Sequence, residues 1–221
     1  MPHARQHAHQ HAQTRTRERR HRLATEAARL MAEGGIRDYH QAKLKAAERL
    51  GIFDDASLPR NREIEDALRE YQRLFQRENI PALRERREAA LRAMEFFTAF
   101  QPRLVGAVLD GTADTRSPVM LQLFADDPDA APRFLDQHGI PSESRSRRLR
   151  LDRERVGEFP VLVFSAEELA FDLTVLPLDL LRQAPLSNID EKPMKRATVA
   201  QVRQLLAEEE ISGYEGAGES R

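Results

Sequence analysis

Leu104-Val105-Gly106-Ala107-Val108-Leu109-Asp110-Gly111-Thr112, followed by Val119-Met120-Leu121-Gln122-Leu123-Phe124-Ala125-Asp126-Asp127, reads as strand, glycine-hydroxyl turn, strand. The first run is apolar and rich in β-branched residues, which predicts a buried strand feeding a tight turn. Glycine at 111 takes positive φ without steric cost, and the amides of such a turn can converge on an anion, with the Thr112 hydroxyl as a further donor. The same dipeptide also closes an ordinary strand connection, and alone it leaves both readings open.

Downstream the texture stays that of short strands, expected at 103–109, 119–125, 142–151, 159–165 and 169–176. A short helix is expected over 129–138, stopped by Gly139, and another from Pro177 to about Arg182. Thr198 is placed to cap a last amphipathic helix packed through Val199, Val202, Leu205 and Leu206. Upstream, from Arg22 to about Thr98, the apolar residues recur at helical spacing and predict four helices. The first packs through Leu23, Ala27, Leu30 and Met31 and stops at Gly34-Gly35. Asp38 caps the second, which ends before Gly51. Asn61 caps the third, with Ile64, Ala67, Leu68, Tyr71, Leu74 and Phe75 inward, and Pro81 opens the fourth, with Leu83, Ala90, Leu91, Met94 and Phe97 inward and its Arg and Glu on the surface.

The fold class that follows is α+β: an N-terminal helical region of about four helices packed on a small mixed sheet with flanking helices. The expected divisions are a disordered basic arm at 1–22, the helical region at 23–100, the α+β domain at 101–207 and an acidic flexible tail at 208–221.

Composition narrows the function classes. With 221 residues, 40% apolar and 32% charged, the chain has room for a sizeable core under heavily charged helix faces. The absence of cysteine excludes disulfides, thiolate zinc sites and a cysteine nucleophile. No apolar stretch suits a membrane span or a signal peptide, so a cytoplasmic location and no membrane partner are expected. The net charge of −1 hides asymmetry, because residues 1–22 hold six Arg and five His against the single Glu18. That arm offers a contact for RNA, and its His7, His9 and His11 lack the preset geometry of a metal site. No P-loop and no dinucleotide fingerprint is present.

The order of these elements resembles the nucleotidyltransferase superfamily, the DNA polymerase beta-like proteins. That family presents a helix, a strand ending in Gly-Ser or Gly-Thr, a second strand beginning Ser-Asp-x-Asp, and a later strand with a third carboxylate. Here Gly111 and Thr112 match the turn, Ser117 matches the residue before the paired acids, and Asp172 in Leu169-Ala170-Phe171-Asp172-Leu173-Thr174-Val175 matches the third. The resemblance covers about 86–183. It implies a nucleotide on the Gly111-Thr112 turn, Mg²⁺ as cofactor and an NTP as substrate or ligand.

The departure lies at the paired acids, whose positions carry Pro118 and Met120. Neither ligates magnesium, which wants hard oxygen ligands. A rearranged metal site of Asp110, Asp114 and Asp172 is one reading, and turn-forming or outward-facing acids are the other. The resemblance therefore implies a degenerate member that binds a nucleotide or another phosphorylated small molecule, with an active two-metal transferase and an RNA-associated protein as alternatives. The chain is also similar to short bacterial proteins labelled UDP-N-acetylmuramate–alanine ligases, an activity expected to need a P-loop and a longer, three-domain chain.

Two segments remain. Arg145, Arg147, Arg148, Arg150, Arg153 and Arg155 form a basic segment that could steer a phosphorylated ligand or RNA, or, diluted by Glu143, Asp152 and Glu154 and without interleaved aromatics, is simply a solvated hairpin. The polar loop 184–197 places Lys192, Lys195 and Arg196 where they could meet a triphosphate, or it simply links the sheet to the last helix.

Overall fold

Alanine sets the packing of the first three helices, α1 His3–Gly34, α2 Tyr39–Leu50 and α3 Asn61–Phe75. Ala24, Ala27, Ala28 and Ala32 of α1 meet Ala42, Ala46 and Ala47 of α2, and Leu23, Ile52, Ile64 and Leu68 complete the core. Asp38 caps α2 by accepting the Gln41 amide at 2.8 Å, and Gly51 closes it in the left-handed region at φ 64°. The computed structural model describes residues 3–75 and 79–218. Its contacts divide the chain into two units, Met1–Arg77 with Asn188–Asp190, and Glu78–Ser187 with Glu191–Arg221.

Several expectations for the helices are corrected. The segment 1–22, expected as a disordered arm, is helical from His3, because no glycine or proline interrupts 3–33 to stop the helix running back from its packed half. Asn61 lies inside α3 and donates through its side chain to the Asn188 carbonyl at 2.6 Å. The residue before the helix is Arg60, whose amide donates to the Glu63 carboxylate at 2.7 Å. Leu74 is 53% exposed, off the buried stripe, and the Phe75 side chain lies outside the described residues.

The second unit holds α4 Asn79–Phe96, a five-stranded mixed sheet, and the helices α5 Ala107–Asp110, α6 Ala130–Gln137 and α7 Val199–Gly218. Its strands are β1 Arg103–Val105, β2 Val119–Phe124, β3 Glu143–Arg150, β4 Val156–Ala166 and β5 Leu169–Leu176, in the order β1-β2-β5-β4-β3. β2 and β5 run parallel and the other three pairs antiparallel. The α+β class is thus shown. The domain boundary expected at 100/101 falls instead near 77/78, since Ala89, Ala90, Met94 and Phe97 of α4 are buried in the core of the sheet. The tail expected from 208 continues α7, where Glu210 pairs with Arg84 at 2.5 Å and Glu209 with Arg87.

Strand alternation assigns the two faces of this sheet. One face presents Leu104, Val119, Leu121, Leu123, Leu162, Phe164, Phe171, Leu173 and Val175 to α4, α6 and α7. The opposite face carries Arg103, Met120, Gln122, Phe124, Asp172, Thr174 and Leu176, by their registered pairing across β1, β2 and β5. Over its far end Phe124 and Leu176 pack with Phe159 and with Leu180 from the turn Leu178–Leu181.

The strand expected over 103–109 is three residues long, and 107–110 is one turn of helix. The cause is Gly106, whose φ of 73° and ψ of −155° belong to a region open only to glycine and swing the chain out of the sheet. Arg86 and Arg87 of α4, expected on the surface, are 4% and 7% exposed.

Candidate functional site

Asp172 stands on β5 directly opposite Met120 on the parallel neighbour β2. Its carboxylate is gripped in two places by Arg147, Nη1 to Oδ1 at 2.9 Å and Nη2 to Oδ2 at 2.6 Å. Nη1 of Arg147 also donates to the Thr174 hydroxyl at 2.9 Å, two residues along the same face. Arg147 lies on β3, so its side chain crosses β4 to reach β5, as its register opposite Phe159 allows. The side chains are 31% exposed for the arginine and 14% for the aspartate, so the cation faces outward and covers the acid.

The Gly111-Thr112 turn is differently employed. The N–H groups of Gly111 and Thr112 both donate to the Ala107 carbonyl, closing α5 with Gly111 at φ 78°. Backbone donors so engaged do not converge on an anion. Arg87 lies against the turn, donating to the Val108 carbonyl at 3.1 Å, and Thr112 is 9% exposed. Asp114 and Ser117 form a closed reverse turn in which the Ser117 hydroxyl donates to Asp114 Oδ1 at 2.7 Å and in turn accepts the Asp114 amide at 3.0 Å. Buried Arg86 fastens this turn to α4, with Nε donating to the Ser117 carbonyl at 2.9 Å and Nη2 to that of Thr115.

The expected metal set is therefore not assembled. Asp110 pairs with Lys195 at 3.4 Å, Asp114 serves its own turn, and Asp172 is held by Arg147. Among the described residues no group of three or more His, Cys, Asp or Glu could hold a metal ion. The donors present do not fit Mg²⁺, which requires carboxylate oxygens free to coordinate it.

What the second sheet face does gather is positive charge. Arg103, Gln122 and Thr174 lie in one register row across β1, β2 and β5. Arg196, from the loop before α7, stacks its guanidinium 5.2 Å over the Phe124 ring and donates through Nη1 to the Leu180 carbonyl at 2.8 Å. Its Nε and Nη2 are buried without a hydrogen-bond partner among the described residues, as is Oε1 of Gln122, itself 2% exposed. Burial holds the Arg196 guanidinium down to about 10, and the like charge of Arg103 adds to the effect. Lys192 and Lys195 of the same loop are exposed.

Arg103 and Gln122 escaped the reading of the sequence, which placed Arg147 in a basic hairpin but not beside Asp172. The alternation of Arg145 and Arg147 put both on one face of a strand, but only the pairing of β3 with β4 and β4 with β5 shows which acid that face meets. Gln122 sits in an apolar run and carries no motif.

Comparison with family models, curated proteins and solved structures returns no match. No helix among the described residues is long and apolar enough to cross a membrane.

Proposed function

We propose that this chain is a catalytically degenerate, nucleotidyltransferase-like protein that binds a nucleotide or another phosphorylated small molecule in the cytoplasm without turning it over. The ligand lies on the sheet face between Arg103, Arg196 and Arg147, rather than on the Gly111-Thr112 turn.

The observation that carries this reading is Arg196, with two buried guanidinium nitrogens that have no partner among the described residues. A buried, unpaired donor costs about 1–3 kcal/mol, and more when charged. A phosphate oxygen supplies the missing acceptors in the bidentate geometry a guanidinium favours. Arg103 and the outward-facing Arg147 extend the same charge along one face. The degenerate part of the reading rests on Met120 opposite Asp172, where a second acid would have to stand.

The test is calorimetric titration of the full chain with ATP, pyrophosphate and inorganic phosphate, with thermal melting alongside. A ligand at about a hundredfold over its Kd raises stability by about 2.7 kcal/mol. The expected result is saturable binding of the phosphorylated probes, weakened at least tenfold by Arg196→Gln, with no pyrophosphate released from any NTP. Binding of none of them ends the reading. Turnover abolished by Asp172→Ala ends its degenerate part, and preference for single-stranded RNA with a steep salt dependence replaces it with the RNA-associated alternative.

A further inference from the structure

We infer that the site takes its di- or triphosphate ligand in the metal-free form, with the Arg147 guanidinium supplying the positive charge that a divalent cation would otherwise bring. This rests on the phosphorylated-ligand reading above and says how that ligand is recognised.

The donors present do not suit magnesium. Asp172 presents both carboxylate oxygens to Arg147, and the arginine lies outside it. A metal ion approaching from solvent meets the guanidinium first. Coordinating Asp172 would break two charge-assisted hydrogen bonds and strip water from the ion, and Mg²⁺ gives up its water reluctantly.

Arg147 is also equipped to meet a second anion. A guanidinium has five N–H groups. Three are directed at Asp172 and Thr174, which leaves one on Nη2 and the one on Nε for a ligand. Asp172 thus works as an orienting group that holds the fork in place.

The spacing favours more than one phosphoryl group. Arg147 reaches β5, while Arg103 lies on β1 with β2 between them. Two strand intervals separate them by about 10 Å. The row between holds Gln122, which is uncharged and buried. Met194 covers this row, its Sδ 3.7 Å from Gln122 Nε2, so an extended polyphosphate reaches a cation at each end by displacing the Met194 side chain. Binding Mg²⁺ to the polyphosphate removes two negative charges and presents hydrated metal to a cationic surface, so the metal competes with the protein for the same oxygens.

The decisive experiment titrates the full chain with ATP and with pyrophosphate, once in EDTA and once in excess Mg²⁺, for the wild type, Arg147→Gln and Asp172→Asn. The expected result is at least fivefold tighter binding in EDTA. Arg147→Gln should lose at least tenfold of that binding, and Asp172→Asn, which leaves the guanidinium one acceptor in place of a two-oxygen carboxylate, should lose a smaller part of it because the fork is no longer held. Binding that appears only with Mg²⁺ and disappears in Asp172→Asn overturns the inference while leaving the phosphorylated-ligand reading in place. Binding equal in both conditions and unchanged in Arg147→Gln overturns it too. No binding of either probe under any condition overturns both. Circular dichroism of each variant verifies that a loss of binding is not a loss of fold.

Discussion

Met120 and Asp172 face one another across the parallel pair β2–β5, one a thioether and the other a carboxylate bound by Arg147. The register sets the two side chains side by side on the second sheet face. A thioether is a soft, weak ligand for hard cations, so one acid stands where two-metal catalysis needs several.

Met120→Asp tests that geometry directly. It sets two carboxylates side by side on neighbouring strands, where like charges repel. The variant should lose about 1–2 kcal/mol in EDTA, and millimolar Mg²⁺ should restore part of that loss while leaving the wild type unmoved. Melting temperatures in the two buffers measure it.

Gly106→Ala addresses the bend after β1. A Cβ there would stand 3.0 Å from the Met120 sulfur, and the backbone at φ 73° is strained for any side chain. The expected cost is about 2–3 kcal/mol by urea denaturation. Adding Met120→Ala should recover only the steric part, because the backbone strain does not depend on the neighbour.

Arg86→Met removes a buried cation while roughly keeping its volume. The Ser117 and Thr115 carbonyls lose their guanidinium partner, so the turn 114–117 loses its tie to α4. A loss of about 2–4 kcal/mol is expected in chemical denaturation. Arg86→Lys, with one donor centre in place of a fork, should fall between.

Glu26 makes stability in the helical unit depend on pH. Its hydrogen bond with Arg29 holds the carboxyl below its ordinary 4.5, helped by the charges of Arg29 and Arg49 and opposed by burial. A carboxyl lowered on folding binds fewer protons in the native state. Its contribution is therefore complete above about 4.5 and is lost as pH falls through the lower native value. Glu26→Gln should cost about 0.5–1 kcal/mol near neutral pH, with the gap to wild type closing in acid. Urea midpoints across the acid range check both the size and the sign.

Most of the elements were legible before any coordinates. Asp38 and Gly51 bracket α2, Pro81 lies in the first turn of α4, Gly139 follows α6, and β5 spans 169–176 as read. These signals are local, since a cap, a proline or a period-two run acts within a few residues. The helix at 107–110 was missed because Ala-Val-Leu-Asp reads equally as strand or helix over so short a run, and Gly106 decides it by backbone conformation.

The candidate site was much less legible. Asp172 and Arg196 were singled out, but their partners were not. Lys192, Lys195, Asp110, Asp114 and Ser117 had residue types suited to a site, yet Asp110 meets Lys195 while Asp114 and Ser117 close a turn. A charge in an amphipathic pattern reads as outside, whereas carbonyls at 31, 21 and 22 positions' separation bring Arg86 and Arg87 in.

The order of residues determined the helical periods, the caps and the alternation of the strands, because each depends on covalent neighbours alone. The tertiary structure decided that Arg147 lies over Asp172, that Arg196 is buried on Phe124 and that the Gly111 amide closes a helix. Those are matters of strand register and of burial, in which residues far apart in the chain fix one another's surroundings.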